Sequence, residues 1–236
     1  MHPRISRQVK RYFKSGRATQ WWDTEAKPLG KYDRHILEHI YERDGVALDV
    51  GTGKGRLAIP LAELGMQVVA LDVSSEMLSF TQKRARKHST NNMTLIVSDA
   101  ENLPFINQTF DRILCIETLV HLPNPDKAVA EISRVARYGG IIVAVVDRKS
   151  IMNSLRDGDF KKLSKSILTS FFPFILPKRY KVRVIWKGFF QKEFIRLFCN
   201  AGFSLLELQS FKQKFLGIFT KTQKNLATMS LRVKLK

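Results

Sequence analysis

The chain has 236 residues, 44% of them hydrophobic, with 13 glycines, 8 prolines and 2 cysteines, a length that suits one α/β domain with a large core and an inserted cap. Its net charge of +19 is unevenly spread: residues 148–236 hold 20 basic and 4 acidic side chains, whereas 46–147 hold 10 and 11, and so one-sided a field attracts polyanions, nucleic acid or anionic membrane alike. No run approaches the roughly 20 apolar residues of a membrane-spanning helix, residues 1–20 lack the apolar centre of a secretory signal, and Cys115 and Cys199 give neither a disulfide framework nor metal spacing, so a reducing, cytoplasmic setting is expected.

Residues 4–14 place Ile5, Val9, Tyr12 and Phe13 at near-helical spacing on a basic background, which predicts an amphipathic helix. A loop with Trp21 and Trp22 follows, and residues 32–41 read as a helix with Ile36, Leu37 and Ile40 on one side. Together 1–45 form an N-terminal helical lid or an ordinary helical packing layer. His35, Glu38 and His39 fit the string His-x-x-Glu-His, but no further ligand follows in sequence. A solvated helix face without metal is the expectation there.

An apolar strand at 46–50 runs into a turn with Gly51, Gly53 and Gly55, and a helix over 56–64 is stopped by Gly65. A second strand, 68–71, ends on Asp72, and Ser74 or Ser75 caps a helix to about Lys87. Strands at 94–97 and 112–116 follow, then a helix over 126–136 capped near Asn124 or Asp126. Gly139 and Gly140 turn the chain into a fifth strand, 141–146. Strands alternating with helices over short links predict a doubly wound, Rossmann-like, mostly parallel sheet with helices on both faces. After Asp147 the rhythm breaks: 148–188 is basic and aromatic and reads as an insertion. Helix 191–200 and strands 204–208 and 215–220 then complete seven strands in a C-terminal part, 189–236, whose last dozen residues fray.

The glycines let a ligand approach the main chain, and Asp72 stands at ribose distance beyond the second strand. Arg56 occupies the place where a dinucleotide fingerprint needs its third glycine, and Lys54 is followed by Gly55 rather than by Ser or Thr, so the Walker pattern fails as well. Asp49 would repel a pyrophosphate. It suits a ligand that carries an amine.

This segment resembles the first motif of class I S-adenosylmethionine-dependent methyltransferases, of the small-molecule or lipid type similar to methyltransferase domain 11. The stretch from Asp72 to Leu78, with Ser74, Ser75 and Met77, resembles the acid-x-Ser-x-x-Met-Leu run of that family. The stretch from Ser98 to Phe105 resembles its adenine-binding segment, and Phe110 to Ile113 and His121-Leu122 its fourth strand and following loop. The resemblance implies S-adenosylmethionine as cofactor and S-adenosylhomocysteine as product. The cofactor would be held by Asp49, Gly51, Thr52, Gly53, Gly55, Asp72, Val73, Met77, Asp99, Ala100 and Glu117. His121 is the candidate catalytic base or positioning group, and a helix-capping or salt-bridged role is the other reading of Glu117.

The acceptor is less legible. Lys161, Lys162, Lys165, Lys178, Arg179, Lys181, Arg183 and Lys187 bracket an apolar run from Ile167 to Leu176, a pattern that suits an anionic membrane surface. With the common place of the acceptor pocket in this family, that implies a small lipophilic acceptor such as a quinone precursor or lipid, met at the cytoplasmic face of a membrane. Three readings compete with it. In one, the same cations with Phe171, Phe172, Tyr180 and Trp186 track an RNA backbone. In another, the apolar run is the core of a cap with a wet lysine face. In the last, the chain is a basic adaptor that binds the cofactor without turnover.

Overall fold

Strands apolar on both faces need helices above and below, and the computed structural model has that arrangement. It describes residues 29–42, 44–148, 188–211 and 213–223. The expected basic helix at 4–14, Trp21 and Trp22, the interior of the 148–188 insertion and the terminal tail lie outside the described residues.

The described elements are α1 (Lys31–Ile40), β1 (Val46–Val50), α2 (Ala58–Glu63), β2 (Gln67–Asp72), α3 (Ser75–Lys87), β3 (Met93–Val97), β4 (Phe110–Ile116), a 3-10 turn (Leu119–His121), α4 (Pro125–Val135), β5 (Ala136–Asp147), α5 (Gln191–Asn200), β6 (Phe203–Phe211) and β7 (Lys214–Lys221). The seven strands form one sheet in the order β3-β2-β1-β4-β5-β7-β6. All neighbours from β3 to β5 are parallel, and β7 runs antiparallel between β5 and β6. The strand order reverses between β1 and β4, the place where a doubly wound sheet opens a crevice at its carboxyl edge.

Period-two alternation distributes β5 and β7 between two cores. Ile142, Ala144 and Val146 with Phe215 and Phe219 pack on α4 and α5, while Val143, Val145, Leu216 and Ile218 pack with Ile36, Leu37 and Ile40 of α1 and the apolar side of α2. Phe194, Phe198, Phe203 and Phe219 knit α5 to the antiparallel edge, with Phe198 stacked on Phe219 at 4.3 Å. No helix among the described residues is long and apolar enough to cross a membrane.

Caps end the helices where the sequence places them: the Ser74 side chain accepts from Met77 N, and Asn124 accepts from Lys127 N. Two expectations need correction. The helix after the glycines starts at Ala58 and not at 56, because the left-handed backbone of Gly55 (φ 71°) keeps the chain in turns until then. Gly139 and Gly140 do not precede β5 but lie inside it. There the pairing jumps from Phe110 with Ala136 to Arg112 with Ile141, an irregularity that Gly139 absorbs at φ 78°.

Candidate functional site

The glycine turn is fastened from three sides. Gly51 N and Thr52 N both donate to the Leu71 carbonyl of β2, at 2.8 and 2.9 Å. Gly53 N donates to Asp72 Oδ2 at 2.9 Å, and the Gly53 carbonyl accepts from Thr81 Oγ1 at 2.7 Å. Arg84 of α3 donates to the Lys54 carbonyl. Gly51 takes φ 75°, and a Cβ there would collide with Thr118, whose hydroxyl donates to Val50 O at 2.9 Å. Gly53 takes φ 55°, and a Cβ there would meet nothing within 4 Å. The open side of the turn therefore lies at Gly53.

Around that opening stand the predicted acids. Asp49 is buried, and its Oδ2 accepts from Thr52 Oγ1 at 2.8 Å. Burial, against the help of that hydrogen bond and of Arg56, pushes its carboxyl up to about 6. Asp72 also lies above its ordinary value through burial, although N–H groups of Ser74, Gly53 and Val73 pull it back. Its Oδ1 accepts from Ser74 N at 2.9 Å, and each oxygen has a further lone pair for a ribose hydroxyl. Asp99 closes a tight turn by accepting from Glu101 N at 3.0 Å. Ala100, next in the chain, and Met77 of α3 are buried, and Val73 is half-buried.

Glu117 follows β4 with φ 59°, a sparsely populated conformation for a side chain of that size. The turn brings its carboxylate to Lys214 and to within 3.9 Å of Arg56 Nη2, so the salt-bridged reading of this residue describes its state. His121 ends the 3-10 turn, half-buried, with its N–H on the Thr118 carbonyl at 3.0 Å. It stands beyond the carboxyl end of β4.

Sequence reasoning missed four contributors. Thr81, one helical turn after Met77, had a readable signal in its i,i+4 spacing. Arg56 had a signal of the wrong kind: it spoils a dinucleotide fingerprint, and in the fold it ion-pairs with buried Asp33 of α1. Tyr32 and Lys214 had none, since they reach the site only through tertiary packing. Tyr32 stacks on Phe211 at 5.3 Å, and burial together with nearby Glu117 raises its phenol far above the ordinary value.

The site's own features fit an aminoacyl nucleoside sulfonium. A space without side chain at Gly53 admits it, Asp72 and Asp99 offer acceptors at neighbouring strand tips, and Asp49 is a buried carboxylate that gains most from a cation. Residues 48–144 match the family described as methyltransferase domain. Over these residues the chain is similar to that family, and its fold is that of S-adenosylmethionine-dependent methyltransferases of known structure.

Among similar chains, methyltransferase GfsG of Streptomyces halstedii is 35% identical over 120 residues, 48% of this chain and 43% of that one. A ubiquinone biosynthesis O-methyltransferase of Serratia proteamaculans is 32% identical over 142 residues, 56% of this chain and 58% of the relative. The chain thus spans about half the length of the curated relatives it matches. The fold is similar to a SAM-dependent methyltransferase of Methanosarcina mazei (TM-score 0.66, 20% identity, 84% of this chain and 100% of that one). It is also similar to magnesium protoporphyrin IX methyltransferase of Synechocystis with bound SAH (TM-score 0.66, 16% identity, 91% and 98%).

Proposed function

We propose that the protein transfers a methyl group from S-adenosylmethionine to a small lipophilic acceptor of the quinone or lipid kind, collected at an anionic membrane surface. The observation that carries the transfer half is the pairing of buried Asp49 with the side-chain-free space at Gly53. An electron-poor ligand with an amine restores the charge balance of the first and needs the room of the second.

When bound, S-adenosylmethionine supplies a methyl group on a cationic sulfur that a nucleophile displaces in line. Since the donor is already activated, the chain's work is alignment and exclusion of water. Asp49 and Thr52 orient the amino-acid end, the fixed Gly53 backbone forms the floor, Asp72 takes the ribose hydroxyls, and Asp99 with Ala100 borders the adenine. His121 accepts the proton of the acceptor or fixes its position. Glu117 sets the charge at the boundary between cofactor and acceptor through Arg56 and Lys214.

Two things support the acceptor half. Relatives at 31–35% identity are named for ubiquinone biosynthesis O-methylation, and cations bracket the apolar run at 167–176, each contributing about 1 kcal/mol near an anionic surface. Incubating the full chain with methyl-labelled S-adenosylmethionine and separate lipid, RNA and soluble fractions tests the reading. Label in the lipid fraction, with flotation on anionic but not neutral vesicles, is the expected result. Label in RNA assigns the basic third to a nucleic acid instead, and cofactor binding without label in any fraction leaves the adaptor reading.

A further inference from the structure

His35 and His39 stand one turn apart on α1, and β6 brings them a third group. The i,i+4 spacing sets both rings over one face of the helix, centroids 4.4 Å apart and edge-on. Glu207 follows the irregular pairing at Leu205 on β6, the kind of irregularity that re-aims a side chain. Its Oε2 lies 3.4 Å from His39 Nε2 and its Oε1 3.8 Å from His35 Nε2. One donor atom from each residue lies within 4.8 Å of the other two, and all three residues are half-buried. Two ligands of a tetrahedral zinc with bonds of about 2.0–2.1 Å stand about 3.4 Å apart. The His39–Glu207 edge already has that spacing.

The ring protons are arranged as a metal requires. His39 Nδ1 lies 2.9 Å from the His35 carbonyl, which only accepts. The proton therefore sits on Nδ1, and in the neutral ring Nε2 offers its lone pair to the shared centre. His35 Nδ1 faces Glu38 Oε2 at 3.9 Å, the position of the outer carboxylate that steadies a ligating histidine. Between His35 and Glu207 now stands the Gln209 amide, its nitrogen 2.9 Å from His35 Nε2 and 2.5 Å from Glu207 Oε1. A single positive-ended group thus serves two electron pairs, a place that a cation takes over when the amide swings out.

We propose that His35, His39 and Glu207 form a binding site for a divalent transition metal, zinc foremost, that fastens α1 to the edge strand β6. Two imidazoles and one carboxylate suit zinc, and disfavour magnesium and calcium, which take oxygen ligands. Three strands separate β6 from β1 and its glycine turn, so the metal acts on the fold and not on the transferred methyl. Its reach toward the crevice runs along α1, whose first turn carries Tyr32 and Asp33, the partners of Phe211 and Arg56.

The full chain, freed of metal with a chelator, is titrated calorimetrically with zinc chloride, and its melting is followed with zinc and with magnesium chloride. The expected result is one zinc bound at this site with a raised Tm and no response to magnesium. Glu207→Gln and His39→Asn, on separate elements, each weaken binding about tenfold or more and remove the Tm rise, whereas Gln209→Ala keeps both. Glu207→Gln preserves shape and one acceptor oxygen, and its folded state is checked by circular dichroism alongside. No zinc binding by the unmodified chain overturns the site, and so does unchanged zinc affinity in the Glu207 and His39 variants.

Discussion

The tips of β1, β2 and β3 are built differently from those of β4, β5 and β7. On the first side most polar groups are tied to the main chain: Asp72 receives Gly53 N and Ser74 N, Asp99 receives Glu101 N, and Thr81 holds the Gly53 carbonyl, with Thr52 to Asp49 the side-chain pair among them. On the second side the charged groups are tied to one another: Glu117 pairs with Lys214 and reaches Arg56 of the glycine turn, which pairs with Asp33. Backbone hydrogen bonds come with the fold and survive exchange of distant side chains. Ion pairs between side chains change with every substitution. Main-chain ties thus hold the first half of the crevice, and side-chain ion pairs the second.

If that division holds, substitutions on the first side strike the cofactor and those on the second strike turnover. The largest effect is Gly53→Val, which fills the open side of the turn and loads a left-handed backbone: binding of S-adenosylmethionine falls below detection by calorimetry while the chain still melts cooperatively. His121→Ala comes next. It costs about a hundredfold in turnover with cofactor affinity retained, measured by label transfer to the acceptor fraction. Asp72→Ala weakens cofactor binding about tenfold or more, since a hydrogen bond to a charged group is worth about 1.5–3 kcal/mol. Lys214→Ala sharpens the comparison from the other side: a partly exposed ion pair is worth at most about 1 kcal/mol, so cofactor affinity changes less than about fivefold.

Asp49 adds a pH dependence. Burial lifts its carboxyl from 3.8 to about 6 in the fold, so the protonated form is the one the empty fold prefers. Its contribution to stability is fully present below 3.8 and is lost as pH rises through about 6. Cofactor binding has the opposite sign, because the amine needs the carboxylate. Affinity falls about tenfold for each pH unit below 6, and Asp49→Asn abolishes that dependence in a calorimetric series from pH 5 to pH 8.

The division also explains what the sequence conceals. β1, β2 and the Ser74 cap are legible because local rules govern them: an apolar run, glycines that must turn, a serine before a helix. β5 was harder, since Gly139 and Gly140 read as a turn when considered alone, and only the pairing with β4 draws them into a strand. Glu117 was readable as a residue at a strand tip, but its left-handed φ and its two cations are not written locally. Lys214 comes from β7, 97 positions later, inserted antiparallel beside β5. The His35–His39 pair looked like a solvated face for the same reason, because the third group, Glu207, arrives from the far edge of the sheet.

The central claim is that the side-chain-free turn at Gly51 to Gly55, beside Asp49, Asp72 and Asp99, holds the cofactor. Calorimetric titration of the full chain and of Gly53→Val with S-adenosylmethionine near neutral pH tests it most directly. The account predicts one molecule bound per unmodified chain and none by the variant. Equal binding by both, or none by the unmodified chain, contradicts it.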